Sequence, residues 1–150
     1  MKPNRIPRPS AAMVVALGLG GWVVNLVQDR QAQSAEAALE TQLMTAPDTK
    51  HYTKRMQNGA PVTFVVSKSL NKALMIGNNV PDPGQRKQYQ LWTLTNHAKN
   101  AVPDKVFDGG PVQKTWFTGD IQAADGVAVT VERHGGAPKP SRNTQVLVTF

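Results

Sequence analysis

The chain of 150 residues has no cysteine. That excludes thiolate zinc sites, a cysteine nucleophile and disulfides. It leaves the compartment open, because extracytoplasmic bacterial domains also do without disulfides. The three histidines, His51, His97 and His134, lie far apart, and no pair has the H-x-x-x-H spacing of a helical metal site. Ser67, Ser69 and Ser141 fall outside any G-x-S-x-G elbow. Gly135-Gly136 precedes prolines rather than a helix start, so it is no phosphate loop. Asp104, Asp108, Asp120 and Asp125 read as solvated loop residues. The acidic positions of "GDIQAADG" (119–126) lack the carboxylate density and terminal Glu of an EF-hand loop. No repeat of fixed period and no long low-complexity tract occurs. The expectation is a protein that is not an enzyme and needs no metal or cofactor.

Acidic residues are also scarce: 10 Asp and Glu stand against 17 Lys and Arg, for a net charge of +7 and a pI near 10.0. Such a balance favours anionic partners, whether membrane lipid, envelope polymer or nucleic acid. From Thr45 onward thirteen basic residues face seven acidic ones. Lys50, Lys54 and Arg55 cluster there, with His51 and Tyr52 among them, and form the candidate anion-binding group.

What is present begins with "MKPNRIPRPS" (1–10), basic and proline-rich, and then "AAMVVALGLGGWVVNLV" (11–27), which carries no charge. A helix of that length rises roughly 25 Å against a hydrocarbon core of about 30 Å. Gly18, Gly20 and Gly21 suit a membrane helix better than one in water, where each would cost about 1 kcal/mol relative to Ala. A single membrane anchor is the favoured reading. The basic flank then sets the N-terminus in the cytoplasm and the rest outside. A cleaved secretory signal is the second reading, although its best small-residue pair, Ala35 and Ala37, lies some ten residues past the apolar stretch. A buried helix of a soluble domain is the third.

"QDRQAQSAEAALETQLM" (28–44) has helix composition and little to bury, and reads as a stalk stopped by Pro47. From residue 45 to 150 the chain changes character. Short β-prone runs alternate with Gly, Pro and Asn turns, the pattern of an all-β domain. Strands are expected at 61–67, 72–78, 87–94, 112–119, 126–132 and 144–150. The first two should form a hairpin. Val127, Val129 and Val131 share one face, expected to be the core. Six or so short strands at this spacing suggest a small β-sandwich. Trp92, Trp116 and Phe117 are expected in its core or at its edge rather than on a binding platform.

"VTVERHGGAPKP" (129–140) tests whether chemistry hides in this architecture. Glu132 and His134 are close enough to suggest a metal or acid–base pair, yet neither has a local partner of matching chemistry. Gly135-Gly136 permits backbone angles other residues resist, and Pro138 and Pro140 hold the chain extended. The segment reads as the connection between the last two strands, about ten residues long.

The same residues carry a resemblance. "VAVTVERHGGAPKP" (127–140) resembles the C-terminal signature of anti-sigma-K factors, the RskA-type regulators, at Val129, Thr130, Val131, Glu132, Gly135, Gly136 and Pro140. "ALMIGNNVPDPGQRKQYQLWTL" (73–94) resembles their strand, proline turn and Tyr-Gln-Leu-Trp stretch, with Gln90, Leu91 and Trp92 as its core. "LMTAPDTKHYT" (43–53) resembles their Leu-x-Ala-Pro-Asp opening. The resemblance covers residues 11 to 150. Arg133 replaces the signature's proline, Ala137 its serine and Ser141 its threonine. The resemblance implies an extracytoplasmic sensor or shielding domain, with membrane lipid, a sigma factor and envelope proteases as partners and nucleic acid excluded. It also implies a cytoplasmic sigma-holding domain, for which the ten residues before the apolar segment are too few. Either the reading frame opens upstream of Met1, or the chain is a shortened stand-alone relative.

Overall fold

The computed structural model describes the backbone of residues 11–150 and the side chains of residues 27–150. The basic tail 1–10, and the side chains of 11–26 on which the membrane-anchor reading rests, lie outside the described residues. Among the described residues no helix is long and apolar enough to cross a membrane. The chain divides after Thr41 into two compact units. The first is helical. It belongs to α1 (Ala11–Thr45), whose side chains from Val27 to Ala38 are all exposed, as a stretch of Ala, Gln and Glu requires. The helix ends two residues before Pro47, which cannot continue it.

The second unit, Gln42–Phe150, is a β-sandwich. Its strands are β1 (Lys50–Arg55), β2 (Pro61–Ser67), β3 (Lys72–Val80), β4 (Lys87–Thr95), β5 (Asn100–Phe107), β6 (Gly110–Trp116), β7 (Gly126–Arg133) and β8 (Thr144–Thr149). They form two antiparallel sheets, A in the order β1-β2-β3-β6 and B in the order β5-β4-β7-β8. The β2–β3 hairpin pairs Val66 with Ala73 and Ser67 with Lys72, as the sequence pattern requires.

Alternation sets the core. Phe64 and Met75 from sheet A meet Tyr89, Leu91, Val127, Val129, Val146 and Val148 from sheet B, all buried, with Val131 packed at the margin. Phe117 joins them from the connection after β6. Tyr89 closes one end: its hydroxyl donates to Pro81 O at 2.7 Å and accepts from Asn58 Nδ2 at 2.9 Å. Burial pushes this phenol above its ordinary pKa.

The outer face of sheet A is also partly covered. Leu43, in the last turn of α1, is fully buried against Val65 and Leu74, with Met44, Ile76 and Trp116 around it. Two polar residues, Thr49 and Asp48, fix this turn. Thr49 Oγ1 donates to Leu43 O at 2.5 Å. Asp48 Oδ1 accepts from the hydroxyls of Ser69 at 2.6 Å and Ser67 at 2.7 Å, and Asp48 Oδ2 accepts from Ser69 N at 2.9 Å. The Ser69 hydroxyl, the Ser69 backbone N–H and the Ser67 hydroxyl all favour the ionised form, holding the Asp48 carboxyl well below the usual carboxylate range.

That depression gives a signed expectation. A carboxyl whose folded pKa is lowered adds stability above its unfolded value of about 3.9, and this is lost as pH falls below it. Asp48→Asn should therefore melt below the parent at neutral pH, with the gap narrowing steadily below about pH 4. Thermal melts stepped through the acid range measure this. A gap of constant size would show that the carboxylate charge is not what the serines hold.

Two strands were not expected. β1, "KHYTKR", is too rich in charge to read as a strand, and β5 contains Pro103. Both are edge strands, where charge and proline are tolerated. Asp104 consequently lies within β5 rather than on a loop.

Candidate functional site

Strands β4 and β7 are hydrogen-bonded neighbours in sheet B, and their register sets the two signature stretches against each other. Tyr89 faces Val131, Gln90 faces Thr130, Leu91 faces Val129 and Gln88 faces Glu132. Leu91, Val129 and Val131 point inward to the core. Gln88, Gln90, Trp92, Thr130 and Glu132 fall on the outer face, where a polar strand would ordinarily meet water, yet all five are buried. The loop 134–143 between β7 and β8 folds back over them.

Three of these side chains, Gln88, Gln90 and Glu132, each hold one point of that loop. Gln88 Oε1 accepts from Gly135 N at 2.8 Å, and Gln88 Nε2 donates to Asp108 Oδ1 at 2.9 Å. Gln90 reads both backbone groups of Ala137: Oε1 accepts from its N at 2.8 Å and Nε2 donates to its O at 3.1 Å. Gly136 sits at φ +87°, and a Cβ there would stand 3.0 Å from both Gln90 Oε1 and Val106 Cγ1. Glycine is needed for conformation and for clearance alike. Glu132 Oε1 accepts from Ser141 N at 2.7 Å and from Thr130 Oγ1 at 2.5 Å. Thr130 Oγ1 in turn accepts from Trp92 Nε1 at 2.8 Å. Ser141 Oγ donates to Val131 O at 2.9 Å. Pro140 is exposed on the loop.

The arrangement is a clamp. The Gln90, Trp92, Thr130 and Glu132 side chains bond to the protein itself. His134 contributes its backbone N–H to Arg86 O at 2.7 Å, and its ring is exposed. Among the described residues no three His, Asp or Glu side chains converge as a metal site would require. Beside the clamp lies an open trough of about 630 Å³, lined by Gln90, Asp104, Lys105, Gly136 and Pro138 among others. Asp104 is itself engaged, accepting from Thr118 Oγ1 at 2.7 Å and Gly119 N at 2.8 Å.

The Lys50, Lys54 and Arg55 group does not converge on one point. Lys50 and Lys54 share the face of β1 that carries Tyr52, whereas Arg55 lies on the other and donates through Nη1 to Gly59 O at 3.0 Å. Lys50 joins Lys68, Tyr52 and Phe150 around a separate cavity of about 200 Å³. Gln88, Ala137 and Ser141 are the clamp residues sequence reasoning missed. The period-2 placement of Gln88 with Gln90 was the available signal for the first.

Comparison with known proteins decides what this clamp belongs to. The family described as "Anti-sigma-K factor rskA, C-terminal" matches residues 9–146. The chain belongs to this family. It is 30% identical to the anti-sigma-K factor RskA of a Mycobacterium species (strain KMS) over 135 residues, 88% of this chain and 53% of that protein. It is 27% identical to a protein named "Dysfunctional anti-sigma-K factor RskA" from Mycobacterium bovis, over 88% of this chain and 56% of that protein. It is also 28% identical to a Streptomyces griseus protein described by its place in the phr 5′ region, over 94% of this chain and 62% of that one. The chain thus spans between half and two thirds of the length of these relatives. No solved structure matches it.

Proposed function

We infer that the chain is the membrane-anchored, regulatory half of an anti-sigma factor. In this reading residues 11–27 cross the membrane, residues 28–44 form the stalk, and the β domain lies on the extracytoplasmic side. The domain governs protease access to the stalk, and regulated cleavage of the anchor releases a sigma factor held by a region outside this chain. The family match over 9–146, which takes in the apolar segment as well as the sandwich, carries the reading. The names of the mycobacterial relatives supply the sigma factor. Two features support it further. The stalk is exposed from Gln28 to Ala38, and its end is fastened to sheet A through Leu43 and Asp48. Glycines at 18, 20 and 21 weaken a membrane helix locally, and intramembrane proteolysis requires unwinding.

The test is a chain tagged at both ends and expressed in an actinobacterial host, with its fragments followed by blotting. The expected result is a fragment cut in the stalk, followed by loss of the N-terminal tag from the membrane. Replacing Gly18, Gly20 and Gly21 with leucine should block the second cut and leave the first. If both tags stay on one full-length band, or cleavage ignores the leucines, the proteolytic reading fails.

A stand-alone envelope module for an anionic ligand is the second reading. The excess of thirteen basic over seven acidic residues from Thr45 onward favours it.

A further inference from the structure

Basic residues gather at the end of the sandwich opposite the turn that receives α1. Arg86 closes the loop between β3 and β4, Lys87 opens β4, and Arg133 ends β7. Register places Lys87 and Arg133 directly opposite each other on paired strands. Like charges so placed repel and weaken a sheet. Among the described residues none of the three cations forms an ion pair. Arg86 holds a left-handed backbone at φ +58°, a conformation that side chains other than glycine and asparagine resist. The bond from His134 N to Arg86 O keeps it there. Strain and repulsion at one place are costs that a ligand can offset.

The space between these residues is shaped to receive one. A groove of about 430 Å³ is lined by Arg86, Lys87, Arg133, Gln85, Ser141 and Asn143, with Val131 and Glu132 at its wall. Glu132 is the one acidic side chain in the lining, and its Oε1 is already committed to Thr130 and Ser141. Arg133 Nε donates to Gly136 O at 3.2 Å. That bond orients the guanidinium, while neither terminal nitrogen bonds to any described residue. A guanidinium held this way suits a two-point grip on an oxyanion, and two further cations call for one of more than single charge. We propose that this groove binds a phosphate group, with Arg133 as the two-point ligand and Arg86 and Lys87 as flanking charges. Arg133 stands where the resembled signature has proline, so the site is a feature of this chain rather than of the signature. The proposal does not depend on the sigma-factor reading.

Amide NMR on the labelled full chain in detergent provides the test, with sodium phosphate compared against sodium chloride at matched ionic strength. Phosphate should shift the amides of Arg86, Lys87, Arg133 and Asn143 saturably, and chloride should not. Arg133→Gln and Lys87→Gln should each weaken that binding tenfold or more. Lys87→Gln should also melt roughly 1–5 °C above the parent in chloride, because a repulsive pair is gone without the loss of a hydrogen bond, and both variants should lose the parent's gain in phosphate. A cooperative melt in chloride shows that each variant folds. Dihexanoyl phosphatidylglycerol, a soluble phosphodiester, separates the sources. If it competes with phosphate the natural ligand is a lipid or polymer phosphodiester, and if it does not the ligand is a phosphate monoester. Equal shifts from phosphate and chloride, or shifts that survive both substitutions, would overturn the proposal.

Discussion

Trp92→Ala will destabilise the β domain by about 3–5 kcal/mol, the range for truncating a buried tryptophan. Trp92 is fully buried on the outer face of sheet B, against Leu94 and Ala128 and flanked by Ala98 and Ala101. The truncation leaves a hole that small neighbours cannot close. It also removes the indole N–H that Thr130 Oγ1 accepts, two bonds away from the backbone of the overlying loop. Domains of this size have total stabilities of about 5–15 kcal/mol, so the variant should be marginally folded. Trp92→Phe, which keeps most of the ring but not the donor, should lose less than half as much. Urea unfolding followed by far-ultraviolet dichroism measures both. A loss below 1 kcal/mol for the alanine variant would mean that the indole does not seal this face.

Why the sequence displays Trp92 and Glu132 so prominently is clear from the same geometry. A sheet face open to water needs no particular residues. A sheet face covered by an irregular loop needs a partner for every buried loop amide. Gln88, Gln90 and Glu132 supply acceptors for Gly135, Ala137 and Ser141. The residues that seemed to offer chemistry in "VTVERHGGAPKP" are thus the fastening of that segment to its own sheet. Its ten-residue length and its place between the last two strands were legible, because Gly-Gly and spaced prolines admit little else. Its path back over β4 was not legible, because side chain to backbone bonds across more than forty positions leave no periodic trace.

The six strands read from the sequence are present, with ends displaced by up to three residues. Those six have an apolar face that must be buried, and alternation reports burial. β1 and β5 were missed because edge strands carry charge or proline to discourage pairing with other chains. The basic cluster shows the same limit. Lys50, Lys54 and Arg55 are adjacent in sequence, but strand alternation splits them between faces. Lys87 and Arg133 lie forty-six positions apart and are brought opposite each other only by the sheet.

The second large effect concerns the stalk. Leu43→Ala should free the last turn of α1 from sheet A. Leu43 is fully buried in a cluster of its own with Val65 and Leu74, separate from the main core. Its loss should therefore be felt locally first. Leucine to alanine at a buried site costs about 2–5 kcal/mol. If about 2–4 kcal/mol of that appears as local opening, amide exchange at Gln42–Thr45 should speed up by roughly 30- to 1000-fold, at one factor of ten per 1.4 kcal/mol. Exchange in β4 and β7 should change far less, because their contacts lie in the other sheet. Limited proteolysis should show new cutting at the stalk end while the sandwich stays intact. This variant separates two roles for the domain. If the domain restrains cleavage by holding the stalk end against sheet A, Leu43→Ala will be cut in cells without any signal. If cleavage stays at the parental level while exchange has accelerated, the contact at Leu43 is not what restrains it.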